Sequence, residues 1–225
     1  MSKLTDSLVT GVMVATALAV GAAAIHHEFF TQRAQPPIPM KTVFQPTWKD
    51  LSAYGHWIGD STAKVRLVEF GEFECPYCRR FEIAFRQAQV QAGNAVALLF
   101  VQYPIPGHKF AKRAALAAEC ASQWGKWEPF HDVMYAQQDS LGIKSWSAFA
   151  ADAGVKDTIA FNKCLSASTT SVFIDSGVAI GKRFKIHGTP TLLVDGWQYP
   201  GLEADSLAGI ILREVKEGPP KAGSK

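Results

Sequence analysis

Cysteine is scarce in this chain, four in 225 residues, and two of the four fall within a single Cys-x-x-Cys at Cys75 and Cys78. A zinc knuckle wants a second pair at similar spacing, but Cys120 and Cys164 stand far apart, which argues against a metal centre. Charge is sparse as well: 19% of residues are charged and the formal net charge is +3. No basic stripe interleaved with aromatics is found, so nothing points to nucleic acid as a partner. Internal repeats and low-complexity tracts are absent, leaving one compact domain, or a domain with an insertion, as the organisation that the length allows. Only residues 8–25 form a long uncharged run, and no cysteine stands at its end, which argues against a lipoprotein anchor.

What is present begins with that run. Eighteen mostly Val, Ala, Leu and Gly residues span about 27 Å as a helix, against a bilayer core of about 30 Å. Lys3 precedes it and Asp6 partly offsets the charge, while Ala22-Ala23-Ala24 offers a small-residue cleavage site. Residues 1–25 are therefore a signal anchor or a signal peptide, and the length of the run favours the anchor. Either places the remainder outside the cytoplasm, in a periplasm or at the envelope exterior, where disulfides persist. Residues 26–47 are an extended linker stiffened by Pro36-Pro37-Ile38-Pro39, with His26 and His27 solvated rather than metal-binding. Residues 217–225 are a flexible tail.

The rest of the chain is organised around residues 65–81. Val65, Leu67, Val68 and Phe70 give a strand apolar on both faces, as a central strand requires. Pro76 is tolerated in the first turn of a helix, and Phe81, Ala84, Phe85 and Ala88 recur at helical spacing. Cys75 thus falls at the helix start, where unpaired N–H groups and the positive end of the dipole favour a thiolate. A thiol so placed attacks disulfides at neutral pH. Cys78, three residues on and more shielded, is within reach to resolve the mixed disulfide. The competing readings of this stretch are half of a zinc knuckle or a structural bridge.

Residues 96–103 form a second apolar run stopped by Pro104 and Pro106, so strand, helix and strand make a parallel βαβ unit. From residue 108 to residue 184 the periodicity stays helical, in five segments without a convincing strand. Sheet-like sequence resumes at residues 187–199, where Asp195-Gly196 signals a two-residue hairpin. Thr189-Pro190 at the head of that hairpin is a candidate cis peptide. An amphipathic helix over residues 204–216 closes the fold.

These pieces together resemble the DsbA-like thiol–disulfide oxidoreductases, a thioredoxin fold with a helical insertion. The resemblance rests chiefly on Phe73-Glu74-Cys75-Pro76-Tyr77-Cys78 and Gly188-Thr189-Pro190-Thr191, with support from Phe130-His131-Asp132. It implies an α/β domain over residues 48–106 and 185–216, with an all-helical insertion at 107–184. It also implies that Cys75 is the nucleophile, Cys78 the resolving thiol and Pro190 the cis-proline. Pro76, Tyr77, Thr189 and Pro190 would then contact an extended substrate chain.

Glu69, six residues before Cys75, matches the position where relatives bury a carboxylate, and a buried carboxylate can relay the Cys78 proton. Glu82 is expected to be an exposed helix glutamate, and His187 a solvated loop residue. Cys120 and Cys164, an even pair in an extracytoplasmic chain, are expected to form a structural disulfide. Tyr77 stands where some relatives carry His, so the oxidising strength is not set by the motif.

The expected activity is disulfide exchange with unfolded or newly secreted proteins, most simply as an oxidase, with no cofactor beyond the Cys75–Cys78 pair. A membrane redox partner would recycle the site. The rival readings are a reductase or isomerase on the same site, and a metal-binding or chaperone-like module using Cys75 and Cys78 as ligands.

Overall fold

A computed structural model describes residues 13, 42–199 and 202–218. Two units are distinguished, residues 1–40 and 41–225, and everything below concerns the second. The expected hydrophobic helix at residues 8–25, most of the linker and nearly all of the tail lie outside the described residues. Among the described residues, no helix is long and apolar enough to cross a membrane.

One six-stranded sheet carries the domain: β1 Val43–Phe44, β2 His56–Ile58, β3 Val65–Gly71, β4 Val96–Gln102, β5 Thr191–Val194 and β6 Trp197–Tyr199. Their spatial order is β1-β6-β5-β3-β4-β2. The central strands β3 and β4 run parallel, Val65 facing Val96 and Gly71 facing Gln102, while β5 lies antiparallel on the other side of β3. Asp195 and Gly196 both take positive φ, 45° and 88°, in the tight turn that joins β5 to β6. Two short strands escaped the sequence reading. Val43–Phe44, inside the expected linker, pairs with β6, and His56–Ile58 pairs with β4. At two and three residues, neither is long enough to display a period.

Among the described residues of this unit, seven helices accompany the sheet: α1 Pro76–Ala92, α2 Ala111–Ser122, α3 Trp127–Ala136, α4 Trp146–Asp152, α5 Thr158–Ala167, α6 Val172–Arg183 and α7 Ala204–Glu217. Val65, Leu67, Leu98, Phe100, Leu192 and Val194 bury one sheet face with Phe81 and Phe85 of α1, Leu207 and Ile211 of α7, and the insertion helices. Val68, Phe70, Leu99, Val101 and Leu193 bury the other with Trp48, Leu51, Phe184 and Ile186. Strand residues therefore alternate between two cores, which is why β3 and β4 lack a polar face.

The last helix of the expected insertion instead lies against the sheet. A Cβ at Gly177 would come within 2.3 Å of the Gln102 carbonyl oxygen, and one at Gly181 within 2.3 Å of the Tyr103 ring. Those two glycines, one turn apart, let α6 rest directly on β4. The insertion proper is α2 to α5, closed by a disulfide between Cys120 of α2 and Cys164 of α5.

Candidate active site

Cys75 caps α1 in an extended conformation (φ −71°, ψ 117°), with Pro76 as the first helical residue. Its sulfur lies 3.3 Å from the carbonyl oxygen of Thr189, and the Thr189–Pro190 peptide is cis. Both cysteines are free thiols, Cys75 2% and Cys78 0% exposed. The Cys75 thiol is held down to about 5 by a hydrogen bond from Cys78, then by the Thr189 hydroxyl and the N–H groups of Cys78 and Tyr77, all against the upward push of burial. Burial pushes the Cys78 thiol well up, and its hydrogen bond to Cys75 and the nearby Glu69 add to this. Two chemically identical groups are thereby separated: one favoured as the thiolate at the start of α1, one kept protonated deeper inside.

Glu69 lies under the pair on β3, 1% exposed, with its Oε1 lacking a hydrogen-bond partner. Its carboxyl is raised well above the ordinary range, first by burial and then by the charge of Glu82, while a hydrogen bond with Cys78 opposes the rise. Glu82 departs from the sequence expectation. It is 6% exposed, not a solvated helix residue, because α1 turns that face toward α3. Arg86 one turn on binds Glu82 at 2.6 Å and also reaches Asp132 and Glu128, so the burial of Glu82 is matched by an ion pair. Glu82, His131 and Asp132 place donor atoms within 4.8 Å of one another, but the cation among their carboxylates is already the Arg86 guanidinium.

Several supporting residues were invisible to sequence reasoning because their partners are distant in the chain. Gln138 donates to the carbonyls of Phe73 and Cys75 at 2.8 and 2.9 Å, fixing the turn into α1. Tyr135 donates to the Glu72 carbonyl at 3.2 Å. The Glu74 carboxylate accepts from the N–H groups of Phe110 and Ala111, supplying the cap that α2 lacks from its own sequence. Glu72 is fully buried, accepts the Glu74 N–H at 2.7 Å and pairs with His108. Burial raises the Glu72 carboxyl, and His108 is held above its ordinary value by that carboxylate. The loop before the redox pair is thus tied to the insertion from both sides.

Tyr77 is 59% exposed and, with Phe81, Pro190, Leu192, Tyr199 and Leu202, lines a groove of about 160 Å³ beside the proline loop. The groove joins the motif residue Tyr77 to the proline loop and the hairpin. His187 is exposed. The Cys120–Cys164 disulfide belongs to the insertion, while Cys75 and Cys78 are the free thiols.

Residues 51–212 match the sequence profile of a family described as Thioredoxin. The chain belongs to the thioredoxin family. Its helical insertion gives this thioredoxin-like domain the DsbA-like form. A thioredoxin-like oxidoreductase from Silicibacter pomeroyi DSS-3 superposes with a TM-score of 0.61 at 26% identity, covering 75% of this chain and 98% of the other. Oxidised BdbD from Bacillus subtilis gives a TM-score of 0.63 at 22% identity, with coverage of 73% and 94%. Among curated proteins, Na(+)/H(+) antiporter NhaA 3 of Salinispora tropica is 32% identical over 157 residues, 68% of this chain but 24% of the antiporter. The chain thus spans about a quarter of the length of that relative.

Proposed function

We propose that this thioredoxin-family protein is an extracytoplasmic thiol–disulfide oxidoreductase acting on newly secreted or unfolded proteins, in the DsbA-like oxidising direction. The observation that carries this reading is the placement of Cys75 at the start of α1, 3.3 Å from the Thr189 carbonyl of a cis Thr189–Pro190 peptide and above the buried Cys78 and Glu69, a setting that holds its thiol down to about 5. Stabilising the thiolate stabilises the dithiol relative to the disulfide, and so makes the disulfide a better oxidant.

In the reaction, a substrate thiolate attacks the Cys75 sulfur of the Cys75–Cys78 disulfide. A mixed disulfide forms, the Cys75–Cys78 bond breaks, and Cys78 leaves and takes a proton from Glu69. A second substrate thiolate then attacks the substrate sulfur of the mixed disulfide. The substrate disulfide forms and Cys75 departs as a stabilised thiolate. Two electrons pass from substrate to the cysteine pair, which a membrane redox partner, quinone-linked by family resemblance, must remove. Thr189 and Pro190 hold the substrate backbone beside the sulfurs, and the Tyr77 groove takes its side chains. Residues 1–25 are proposed to tether the domain to the membrane.

Equilibration of the pair against glutathione buffers tests the reading. The expected potential lies toward the roughly −120 mV of strongly oxidising relatives rather than the roughly −270 mV of thioredoxin. A value near the latter supports the reductase or isomerase reading instead, and copurification with stoichiometric metal supports the metal-binding module.

A further inference from the structure

Cys78 and Glu69 are 0% and 1% exposed, so a proton moving onto or off the resolving thiol has to cross the protein. Among the buried polar atoms without a hydrogen-bond partner in the described residues are Glu69 Oε1, Glu82 Oε2 and His131 Nε2, together with Nε1 of Trp127 beside the imidazole. His131 Nε2 lies 3.9 Å from Glu82 Oε2, and on the far side of the ring Nδ1 lies 3.1 Å from Asp132 Oδ1. The His131 side chain is 0% exposed and that of Asp132 is 47% exposed, so the imidazole spans the distance from interior to solvent. Phe73, Phe100, Trp127 and Tyr135 surround it, with ring centroids 4.9 to 5.8 Å away. Glu69 Oε1 and the Phe100 ring edge meet over Gly71, each under 3 Å from where its Cβ would stand, which puts the carboxylate against the wall of the same cage. Burying an imidazole with one nitrogen unpaired is costly, and a structural histidine would be satisfied at both ends.

Building on the oxidoreductase reading above, we propose that His131 is a positioning residue for the proton relay, linking Glu69 through Glu82 to solvent at Asp132. Asp132 only accepts, so Nδ1 carries the proton in the dithiol state and Nε2 faces Glu82 bare. When the recycling partner oxidises the pair, Glu69 hands its proton through Glu82 to Nε2 and takes the Cys78 proton in its place, while the Nδ1 proton leaves through Asp132 to water. This leaves the ring protonated at Nε2. When substrate next reduces the pair, that proton returns to Glu82 and Glu69 and onto the departing Cys78 thiolate, and Nδ1 takes one from water through Asp132. One proton leaves and one enters per cycle, and the two half-reactions restore each other's tautomer without a ring flip. The charged or titratable groups facing this path are Cys75, Glu72 and Tyr135 near Glu69, Arg86 and Glu128 beside Glu82 and Asp132, and His56 with Glu119 behind Trp127.

The test uses the full-length reduced protein mixed with excess glutathione disulfide, acid-quenched and read by mass spectrometry from pH 5 to pH 9. Cys75 captures glutathione, and loss of the mixed disulfide reports attack by Cys78. His131→Asn keeps a donor toward Asp132 and removes Nε2, and Glu82→Gln keeps the shape of the carboxylate. Each is expected to slow resolution about 10-fold, the double variant no more than the slower single, and Cys75 capture unchanged. An unchanged resolution rate, multiplied losses in the double variant, or an altered capture step overturns the relay. Should H131N not fold, Asp132→Asn carries the same expectation and the same refutation. If the parent protein forms no mixed disulfide at all, the oxidoreductase reading fails with it; normal exchange with unaffected variants removes the relay alone.

Discussion

The Cys75 sulfur rests 3.3 Å from the backbone oxygen of Thr189, a residue 114 positions further along the chain. That approach brings the start of α1 to the mouth of the β5–β6 hairpin. It sets the thiol beside Thr189, whose side chain adds to the lowering of the thiol that the helix start by itself provides.

Alkylation of Cys75 is expected to follow a titration with its midpoint near 5. Cys75→Ser should abolish exchange, and Cys78→Ala should accumulate trapped mixed disulfides, detectable on non-reducing gels. Absence of trapped species would reverse the order of attack.

Thr189→Val keeps the shape of the side chain and removes the hydroxyl that helps hold the thiolate. The alkylation midpoint should rise by roughly one unit or less, equivalent to at most about 1.4 kcal/mol. A midpoint that does not move shows that the hydroxyl is a bystander.

The folded Cys75 value is depressed, so its contribution to stability is complete above the unfolded value of about 8.5 and disappears as pH falls through about 5. At pH 7 it amounts to about 2–3 kcal/mol in the reduced protein. Urea melts of the reduced form should therefore lose stability between pH 8 and pH 5 relative to the Cys75→Ser variant, whose curve lacks this slope.

Glu69 behaves in the opposite sense. Its folded value is raised, so above about 4.5 the folded protein retains a proton that the unfolded chain has released, and stability falls as pH climbs. Glu69→Gln is expected to stabilise the domain at pH 7 by roughly 1–2 kcal/mol while slowing resolution. Thermal melts and the mixed-disulfide assay measure the two effects separately, and a destabilised variant with normal resolution contradicts both.

Removing Cys120 and Cys164 together opens a loop whose ends are 44 positions apart. The chain-entropy relation gives a cost of roughly 4 kcal/mol, within the usual span for native disulfides. Denaturant melts should register that loss, while the rate of exchange at Cys75 stays within about twofold because the bridge lies in the insertion.

The central strands, the redox helix and the hairpin were legible because each carries a strong local signal. β3 and β4 are runs of apolar residues, Pro76 fixes a helix start, and Asp195-Gly196 suits a turn with two positive φ values. The misread elements lacked such signals. Glu82 looks solvated in sequence because a glutamate on a helix usually is, and only Arg86 and the packing of α3 make its burial tolerable. α6 reads as one more helix of the insertion until its glycines are set against β4. Glu72, Glu74, His108 and Gln138 have partners on segments at least 36 positions away, beyond any local period.

The amino-acid order alone determined where a thiolate would form, because a helix start followed by proline is a local property of a few residues. It determined the order of the helices and of strands β3 to β6 for the same reason, though not the two short strands that precede them. The tertiary structure decided what surrounds that sulfur: a threonine from the far hairpin, a carboxylate kept from water, and a histidine caged in rings with one nitrogen free. Those choices depend on which side of a sheet each side chain meets, and only the closed chain brings distant residues near enough to shift a proton.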